Sequence, residues 1–397
     1  MMLVRILALI VTLVGATVAW GILETTLIVR TAQESGDQRV QLGSSWGPEQ
    51  TQTAPDVFYS SGKTHSSIPI EASAINVDLA LDQRRKGLLW YNTYRVDFHA
   101  AYRIVNKSHQ NLLRFALALP AEKGVYDDVR ILVNDRPTSY VIDHGVVTAD
   151  IWVQPGHAAE VTASYGSRGL ERWFYQFGSG INRVRNFGLV MRTNFDAIDF
   201  PPNALAPTQE RTTSNGWELA WRYKSLVAGD GIGMVFPERL QPGPLAQRIT
   251  FWAPLSLLFY FFVLFIITVI RRIDLHPMNY FFLAASFFAF HLLFAYSVDR
   301  VPVWLAFFIC SLVSMFLTVS YLRIVAGLRF AAVEAGLAQF FYLILFSLAL
   351  FNEGFSGLAI TIGSIITLFI VMQLTARINW SERFASLPGR AQRTSAQ

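Results

Sequence analysis

Cysteine is nearly absent from this sequence, since Cys310 is the only one among its 397 residues. It lies inside an apolar run, so one chain can form neither a disulfide framework nor a cysteine-based zinc site. Charged residues are also scarce, at 15% of the chain. The net charge of +5 is too small and too dispersed to indicate a nucleic-acid partner. Because disulfides and cysteine-based zinc sites are excluded, any part of the chain outside the cytoplasm must be held together by its own apolar core.

Apolar residues are abundant instead, and make up 52% of the chain. The clearest run, residues 251–270, carries no charge, and at about 1.5 Å per residue it matches a hydrocarbon core of roughly 30 Å. The sequence predicts a membrane α-helical protein with one N-terminal and five C-terminal transmembrane helices. We place them at residues 1–23, 251–270, 278–296, 303–322, 332–350 and 355–376.

The first apolar segment has two interpretations. It is a signal peptide cleaved after Thr17-Val18-Ala19, or an uncleaved anchor with Trp20 at its outer interface. The length of the run favours the anchor. Both interpretations place residue 24 and its successors outside the cytoplasm.

Residues 24–250 have no uncharged run long enough to cross a membrane, and their apolar residues alternate. The clearest case is residues 94–105, where one face is apolar and the other carries charged and polar side chains. Such alternation predicts half-buried strands, and Asn134-Asp135 and Ser214-Asn215-Gly216 predict turns between them. We therefore expect a large, β-rich, sandwich-like antiparallel domain, built as one core or as two smaller sandwiches meeting near residues 166–186.

The arginines next to the predicted helices indicate orientation. They come after the second, fourth and sixth helices: Arg271 and Arg272, then Arg323 and Arg329, then Arg377, Arg383, Arg390 and Arg393. The positive-inside rule then places both termini in the cytoplasm and residues 24–250 in the periplasm. The predicted parts are an anchor (1–23), a periplasmic β-rich domain (24–250), a five-helix bundle (251–376) and a basic cytoplasmic tail (377–397).

Two places carry candidate functional side chains. Arg271, Arg272, Asp274 and His276 lie in the polar connection before the third helix, where Pro277 suits a first helical turn. They form either an ordinary helix start or a contact for anionic lipid or a partner. His291 is the ionisable side chain well inside a predicted span, and is either a hydrogen-bonded packing residue or part of an intramembrane polar path.

Catalytic motifs are weak. Gly43-Ser44-Ser45-Trp46-Gly47 matches the nucleophile-elbow pattern, but Pro48 comes directly after it and a rigid turn is expected instead. Asp143-His144 would join a catalytic triad only if the fold brought a serine to it. No two of the seven histidines have the spacing of a helical zinc site. No cofactor, metal or catalytic residue is predicted.

Several stretches resemble the CreD family of bacterial inner-membrane proteins, which are associated with cell-envelope integrity. They are GSSWGPEQTQTAP (43–55), RRKGLLWYNTYRVDF (84–98), FPPNALAPT with NGWELAWRYKSL (within 200–226), IDLHPMNYFF (273–282) and TIGSIITLFIVMQLTARINW (361–380). They occur in the family's order across most of the chain. The resemblance implies an inner-membrane location, a large periplasmic domain and a role in envelope stress, and it implies no catalytic residues.

The sequence supports three hypotheses. The first is a non-enzymatic inner-membrane protein that acts through its periplasmic domain, with the lipid bilayer and an envelope or membrane protein as partners. The second is a small-solute transporter or channel that uses His291 and the C-terminal bundle. The third is a periplasmic hydrolase with Ser45 as nucleophile. The sequence leaves the oligomeric state open.

Overall fold

The computed structural model describes residues 2–61, 64–178 and 182–376, and its chain divides into two compact units. The helical unit contains residues 2–34, Gly87–Leu89 and residues 240–376. The β unit contains Ser35–Lys86 and Trp90–Arg239. Residues 377–397, predicted as a basic tail, lie outside the described residues.

Across the described ranges, six helices are long and apolar enough to cross a membrane, one N-terminal and five C-terminal, as predicted. Their bounds are α1 Met2–Ser45, α2 Pro242–Arg271, α3 Pro277–Ser297, α4 Val303–Ala326, α5 Phe330–Ala349 and α6 Ser356–Thr375.

Helix α1 runs well beyond the predicted end of the anchor at residue 23. Residues 24–45 are mostly polar but contain no proline, and Arg30 and Glu34 form an i,i+4 ion pair at 4.0 Å. The helix ends only just before Gly47 and Pro48. The rigid turn expected at residues 43–47 is therefore wrong for residues 43–45, which form the last helical turn.

Helix α2 begins before its predicted start at residue 251. Pro242 lies in its first turn, where a missing N–H costs no helical hydrogen bond. Leu245, Ala246 and Ile249 then lie buried along one side. The uncharged run begins only after Arg248, yet Arg248 is part of the helix and donates to the Leu350 carbonyl near the end of α5 at 3.0 Å.

Helix α5 is wound irregularly. Phe330–Ala335 and Phe340–Leu345 are π-helical, and a short α-helical turn comes after each of them. A π turn leaves backbone carbonyls without their usual helical partner. One of these, on Tyr342, accepts a hydrogen bond from the Ser256 hydroxyl of α2. Helix α2 thus supplies a hydrogen-bond donor to the irregular backbone of α5.

The strands of the β unit, in chain order, are β1 Gln50–Thr53, β2 Asp56–Ser61, β3 Thr64–Ser67, β4 Ile70–Leu81, β5 Arg84–Lys86, β6 Leu89–Tyr91, β7 Thr93–Val105, β8 Leu112–Ala118, β9 Tyr126–Val133, β10 Arg136–Pro137, β11 Tyr140–Asp143, β12 Val146–Trp152, β13 Ala158–Leu170, β14 Trp173–Gln176, β15 Asn182–Thr193, β16 Gln209–Thr213, β17 Gly216–Ala228 and β18 Ile232–Gly233. Leu89, at the start of β6, belongs to the helical unit.

The described strands form two main sheets that share one core. The larger has the order β10-β9-β13-β7-β4-β15-β17-β16, and the smaller β11-β12-β8-β2-β3. Tyr102 of β7 and Phe115 of β8 are fully buried, with ring centroids 5.9 Å apart. The predicted sandwich-like packing is thus observed, and a single cluster of buried side chains runs through both sheets.

Local patterns explain much of this architecture. The predicted alternation in β7 is observed, because Tyr94, Val96, Phe98 and their even-numbered successors face the core. Asn134 and Asp135 have φ of 49° and 63° and connect β9 to β10 as a tight hairpin.

The purely antiparallel arrangement is wrong at two pairs, since β4 pairs in parallel with β15 and β1 with β14. Parallel partners need a long crossover, and their pairing cannot be inferred from a local pattern.

Candidate functional site

The connection between α2 and α3 places the four predicted contact residues at the surface of the helical unit. Arg271 ends α2, and its guanidinium lies 2.6 Å from the Glu334 carboxylate of α5. Arg272 has a left-handed φ of 55°, and its N–H caps α2 at the Thr268 carbonyl.

The remaining two residues of this connection precede α3. His276 is the N-cap of α3 and accepts a hydrogen bond at Nδ1 from the Met278 N–H at 3.3 Å. Asp274 is exposed. Arg272 thus caps the end of α2, and His276 caps the start of α3. A ligand contact at these four residues stays a prediction.

His291 is buried in the helical unit. Its Nδ1 lies 2.9 Å from the Phe287 carbonyl one turn earlier, so Nδ1 carries the proton and donates it. The ring packs edge-on against Trp20 of α1, with centroids 5.3 Å apart, and against Phe290. Trp20, expected at the outer end of the first span, is therefore a buried packing partner of His291.

A buried polar network connects α3, α4 and α5. The hydroxyls of Ser286 and Thr318 lie 2.7 Å apart, and Ser314 donates to the Ser286 carbonyl at 2.7 Å. Gln339 donates from Nε2 to the Ser314 hydroxyl at 2.8 Å. Its Oε1 is buried and has no hydrogen-bond partner among the described residues. Gln339 also lies between the two π-helical segments, a form of winding that often marks functional positions.

The β unit carries a second candidate site, a cluster of three arginines around Trp46. The Cζ atoms of Arg84, Arg168 and Arg95 lie 3.8, 5.2 and 5.8 Å from the centroid of the Trp46 ring. Each distance is within the range of a cation–π interaction. Trp46 itself is buried and donates from its indole N–H to the Tyr94 carbonyl at 3.3 Å. We call Trp46 and the three arginines the Trp46 cluster.

The sheet register brings two of these arginines together. Arg95 of β7 lies directly opposite Arg168 of β13. Like charges at directly opposite positions destabilise a sheet, so this pair requires compensation. Arg168 has a carboxylate 3.9 Å away on Asp127, and Arg84 has one 3.1 Å away on Asp82. Arg95 has no carboxylate within 4 Å in the part of the chain that is described, and is free to bind an anion.

Buried polar groups hold the backbone beneath the cluster. Gln50 donates to the Arg168 carbonyl at 2.8 Å and accepts from the Ser167 hydroxyl at 3.1 Å. Gly47 has a φ of 145°, and a Cβ atom there would overlap the same carbonyl. Gly47 therefore permits the close approach that seats Trp46 above β13.

An open groove adjoins the cluster on the outer face of the large sheet. Its volume is about 410 Å³, and Arg95 and Arg168 line one end. Gly166, between Asp97 of β7 and Asp127 of β9, forms part of its floor. Because glycine has no side chain, the space between the two carboxylates stays open. The groove thus offers a cationic end beside an acidic stretch.

Burial perturbs several groups close to the site. It raises the pKa of Tyr94 well above the ordinary value, and the hydroxyl donates to the Arg172 carbonyl. Burial also raises the pKa of Tyr126 to about 12, and the Tyr126 hydroxyl donates a hydrogen bond to the Ala121 carbonyl. Burial raises the pKa of Glu171 as well. The tyrosines therefore stay neutral at physiological pH and act as hydrogen-bond donors that fix loops.

The motifs proposed for catalysis do not assemble. Ser45 donates its hydroxyl to the Gln41 carbonyl at 2.8 Å, and a helix precedes it where a nucleophile elbow needs a strand. His144 lies in the exposed turn between β11 and β12, 3.7 Å from Asp143. Within the described ranges, no group of three or more His, Cys, Asp or Glu side chains is placed to hold a metal ion.

The decisive comparison is with protein families. Residues 208–381 match the family model described as inner membrane protein CreD. The predicted CreD resemblance is confirmed. Together with the six long apolar helices, this match supports a multi-pass membrane protein.

The CreD match covers β16 to β18 and the five C-terminal helices. The α2–α3 connection, His291 and Gln339 all lie inside it, whereas the Trp46 cluster and its groove precede it. No match was found among curated proteins.

Solved structures resemble this chain only weakly. A protein from Legionella pneumophila described as nutrient binding is 10% identical, with a TM-score of 0.31 over 52% of this chain and 84% of that one. A variant of an M1 zinc metallopeptidase from Deinococcus radiodurans is 8% identical, with a TM-score of 0.27 over 42% of each chain.

Sequence reasoning missed the Trp46 cluster. In the sequence, Trp46 stands out only as an isolated aromatic and Arg95 only as one polar position of a strand. The available signal is the arginine-rich stretch at residues 84–95 close to a tryptophan. Which arginines meet depends on the register of β7 with β13, and this register is set by the whole sheet.

Proposed function

We propose that this protein is a non-enzymatic bacterial inner-membrane protein of the CreD type that acts in cell-envelope integrity by binding an anionic envelope component. The observation that carries the proposal is the pairing of Arg95 with Arg168 around Trp46, on an exposed sheet face. Guanidinium groups bind carboxylates and phosphates in bidentate geometry, and a bound anion would relieve the repulsion between the two arginines.

The proposal places the β unit in the periplasm and both termini in the cytoplasm. Its support is the distribution of arginines, since Arg271, Arg272, Arg323 and Arg329 all lie at connections on the same side of the proposed topology. The binding groove then faces the envelope, and the lipid bilayer surrounds the helices. The bound component is a polymer or protein that carries phosphate or carboxylate groups.

Binding suits this site better than catalysis. Ser45 is held within the helix end, and the groove presents charged groups on a rigid sheet with buried support from Gln50 and Ser167. Rigid placement of arginines suits recognition of an anion.

The test compares two charge-matched double variants in cells that lack the native protein. Arg95→Gln with Arg168→Gln removes the paired arginines. Arg211→Gln with Arg222→Gln removes two exposed arginines of β16 and β17. We expect the first to lose tolerance of membrane-active antibiotics and the second to keep it, at equal protein abundance. Full tolerance in the first variant refutes the proposal.

A second experiment identifies the partner. A photocrosslinking side chain at His99, which lines the groove and is exposed, should capture an anionic envelope component in intact cells. The Arg95 and Arg168 substitutions should abolish that product. Deletion of residues 50–239, which keeps all six long helices, should abolish the tolerance of membrane-active antibiotics altogether.

One observation favours a second candidate function, a small-solute transporter or channel. It is the buried network that ends at the unpaired Oε1 of Gln339, between two π-helical segments. A path through the bundle would need such polar atoms. Under this alternative, Gln339→Leu and His291→Leu would each abolish solute uptake in a properly assembled protein. Unchanged uptake would exclude it.

A further inference from the structure

The helical unit contains a long apolar groove between α2, α5 and α6. Its volume is about 720 Å³, and its walls include Val263 of α2, Leu337 and Phe341 of α5, and Ile366 and Ile370 of α6. Two polar groups within it, the hydroxyls of Tyr342 and Thr367, satisfy each other at 3.0 Å. The walls therefore present hydrocarbon along their length.

The length of the groove suits an extended hydrocarbon chain. Its lining on α5 runs from Val333 to Ala349. At about 1.5 Å per residue this distance is roughly 24 Å, longer than the ~15 Å of one leaflet's hydrocarbon.

One end of the groove is charged. Glu334 lines that end, and Arg271 lies 2.6 Å from its carboxylate. Arg271 and the neighbouring Arg272 are both exposed, as is Asp274 in the same connection. Arg272 adds a second guanidinium group next to Arg271, and guanidinium groups bind phosphates through paired N–H donors. An apolar channel with two arginines beyond its end matches the acyl chain and the phosphate of an anionic phospholipid.

We propose that this groove binds one anionic phospholipid, with an acyl chain along α5 and α6 and the headgroup at Arg271 and Arg272. The lipid fills space between α6 and its neighbours and so serves as a structural ligand of the bundle. This inference uses the helical unit alone and stands independently of the function proposed for the β unit.

A matched pair of glycine substitutions on α6 tests the acyl site. Gly363 lines the groove and Gly357 does not, and at both positions a Cβ atom would meet nothing within 4 Å. Gly363→Leu therefore fills the groove, whereas Gly357→Leu adds the same side chain elsewhere on the same helix. Native mass spectrometry of the full-length protein in mild detergent measures phospholipid retained per chain.

We expect the native protein to retain one anionic phospholipid, Gly363→Leu to lower its retention by about tenfold, and Gly357→Leu to leave it unchanged. Arg272→Gln should remove the preference for anionic over zwitterionic lipid. A native protein that carries no lipid, or equal retention in the two leucine variants, overturns the proposal. A change in oligomeric mass in place of lipid loss overturns it in favour of a second copy of the chain.

A second variant guards against misassembly. Leu337→Trp fills the groove from the opposite wall, on α5. If Gly363→Leu fails to assemble, lipid retention in Leu337→Trp decides the question: loss supports the site, and full retention refutes it.

Discussion

Replacing Gln50 by leucine should lower the free energy of unfolding of the β unit by about 2 kcal/mol. The Gln50 side chain is fully buried, donates to the Arg168 carbonyl and accepts from the Ser167 hydroxyl. Leucine has similar bulk, so little cavity results. The substitution instead leaves two buried polar atoms short of a partner, at roughly 1–3 kcal/mol each, which the added apolar burial offsets in part.

A double-mutant cycle separates the two hydrogen bonds. Ser167→Ala alone leaves the Gln50 acceptor unpaired and should cost about 1–2 kcal/mol. In the double variant neither that acceptor nor the hydroxyl remains, and only the Arg168 carbonyl loses a donor. The double variant should therefore be more stable than the sum of the single effects predicts, by about 1 kcal/mol.

Urea unfolding of the full-length protein in detergent, monitored by tryptophan fluorescence, gives these values, since urea acts on the β unit while micelles protect the helices. Strictly additive effects would refute the reasoning, because the Gln50–Ser167 hydrogen bond would then contribute nothing. A loss of anion binding in Gln50→Leu at temperatures where the β unit stays folded would further identify Gln50 as a positioning residue for Arg168.

Three more predictions concern single positions. Gly47→Ala should destabilise the β unit by more than about 2 kcal/mol. Gly156→Ala, at a φ of 80° with open space around a Cβ atom, should destabilise it by only about 1 kcal/mol. Equal urea midpoints of the two variants would contradict this prediction. Burial raises the folded-state pKa of Glu171, so the free energy of unfolding should fall as pH rises from the pKa of the unfolded state through the raised pKa of the folded state. Glu171→Gln should abolish this pH dependence in urea titrations. An unchanged pH dependence would assign the effect to another group. Ser256→Ala removes the donor to the Tyr342 carbonyl and should lower bundle stability by about 1 kcal/mol in SDS titration, and no change would mean that the π turn finds another donor.

The elements with a short repeating pattern could be predicted from the sequence. The five C-terminal spans and the alternating face of β7 depend on local composition, and composition is fully visible in the chain. The Asn134-Asp135 turn is equally local, because both residues tolerate positive φ.

Features that depend on distant partners could not be predicted. Helix α1 continues to Ser45 through polar residues that carry no span signal, and α2 begins at Pro242 ahead of an arginine. The pairing of Arg95 with Arg168 results from a register set by the whole sheet, and the Gln339 network needs three helices in place. The α2–α3 connection can be located in the sequence, but the partner of Arg271 on α5 cannot.

The parallel pairing of β4 with β15 governs the order in which the large sheet can be completed. About 100 residues separate the end of β4 from the start of β15, so synthesis at roughly 5–20 residues per second leaves one side of β4 unpaired for about 5–20 s. During that interval β4, β7, β13 and β9 can associate, yet the growing sheet keeps an open backbone edge that invites wrong pairing. Production of this protein should accordingly depend on helpers that shield nascent strands, and slower translation should increase its aggregation.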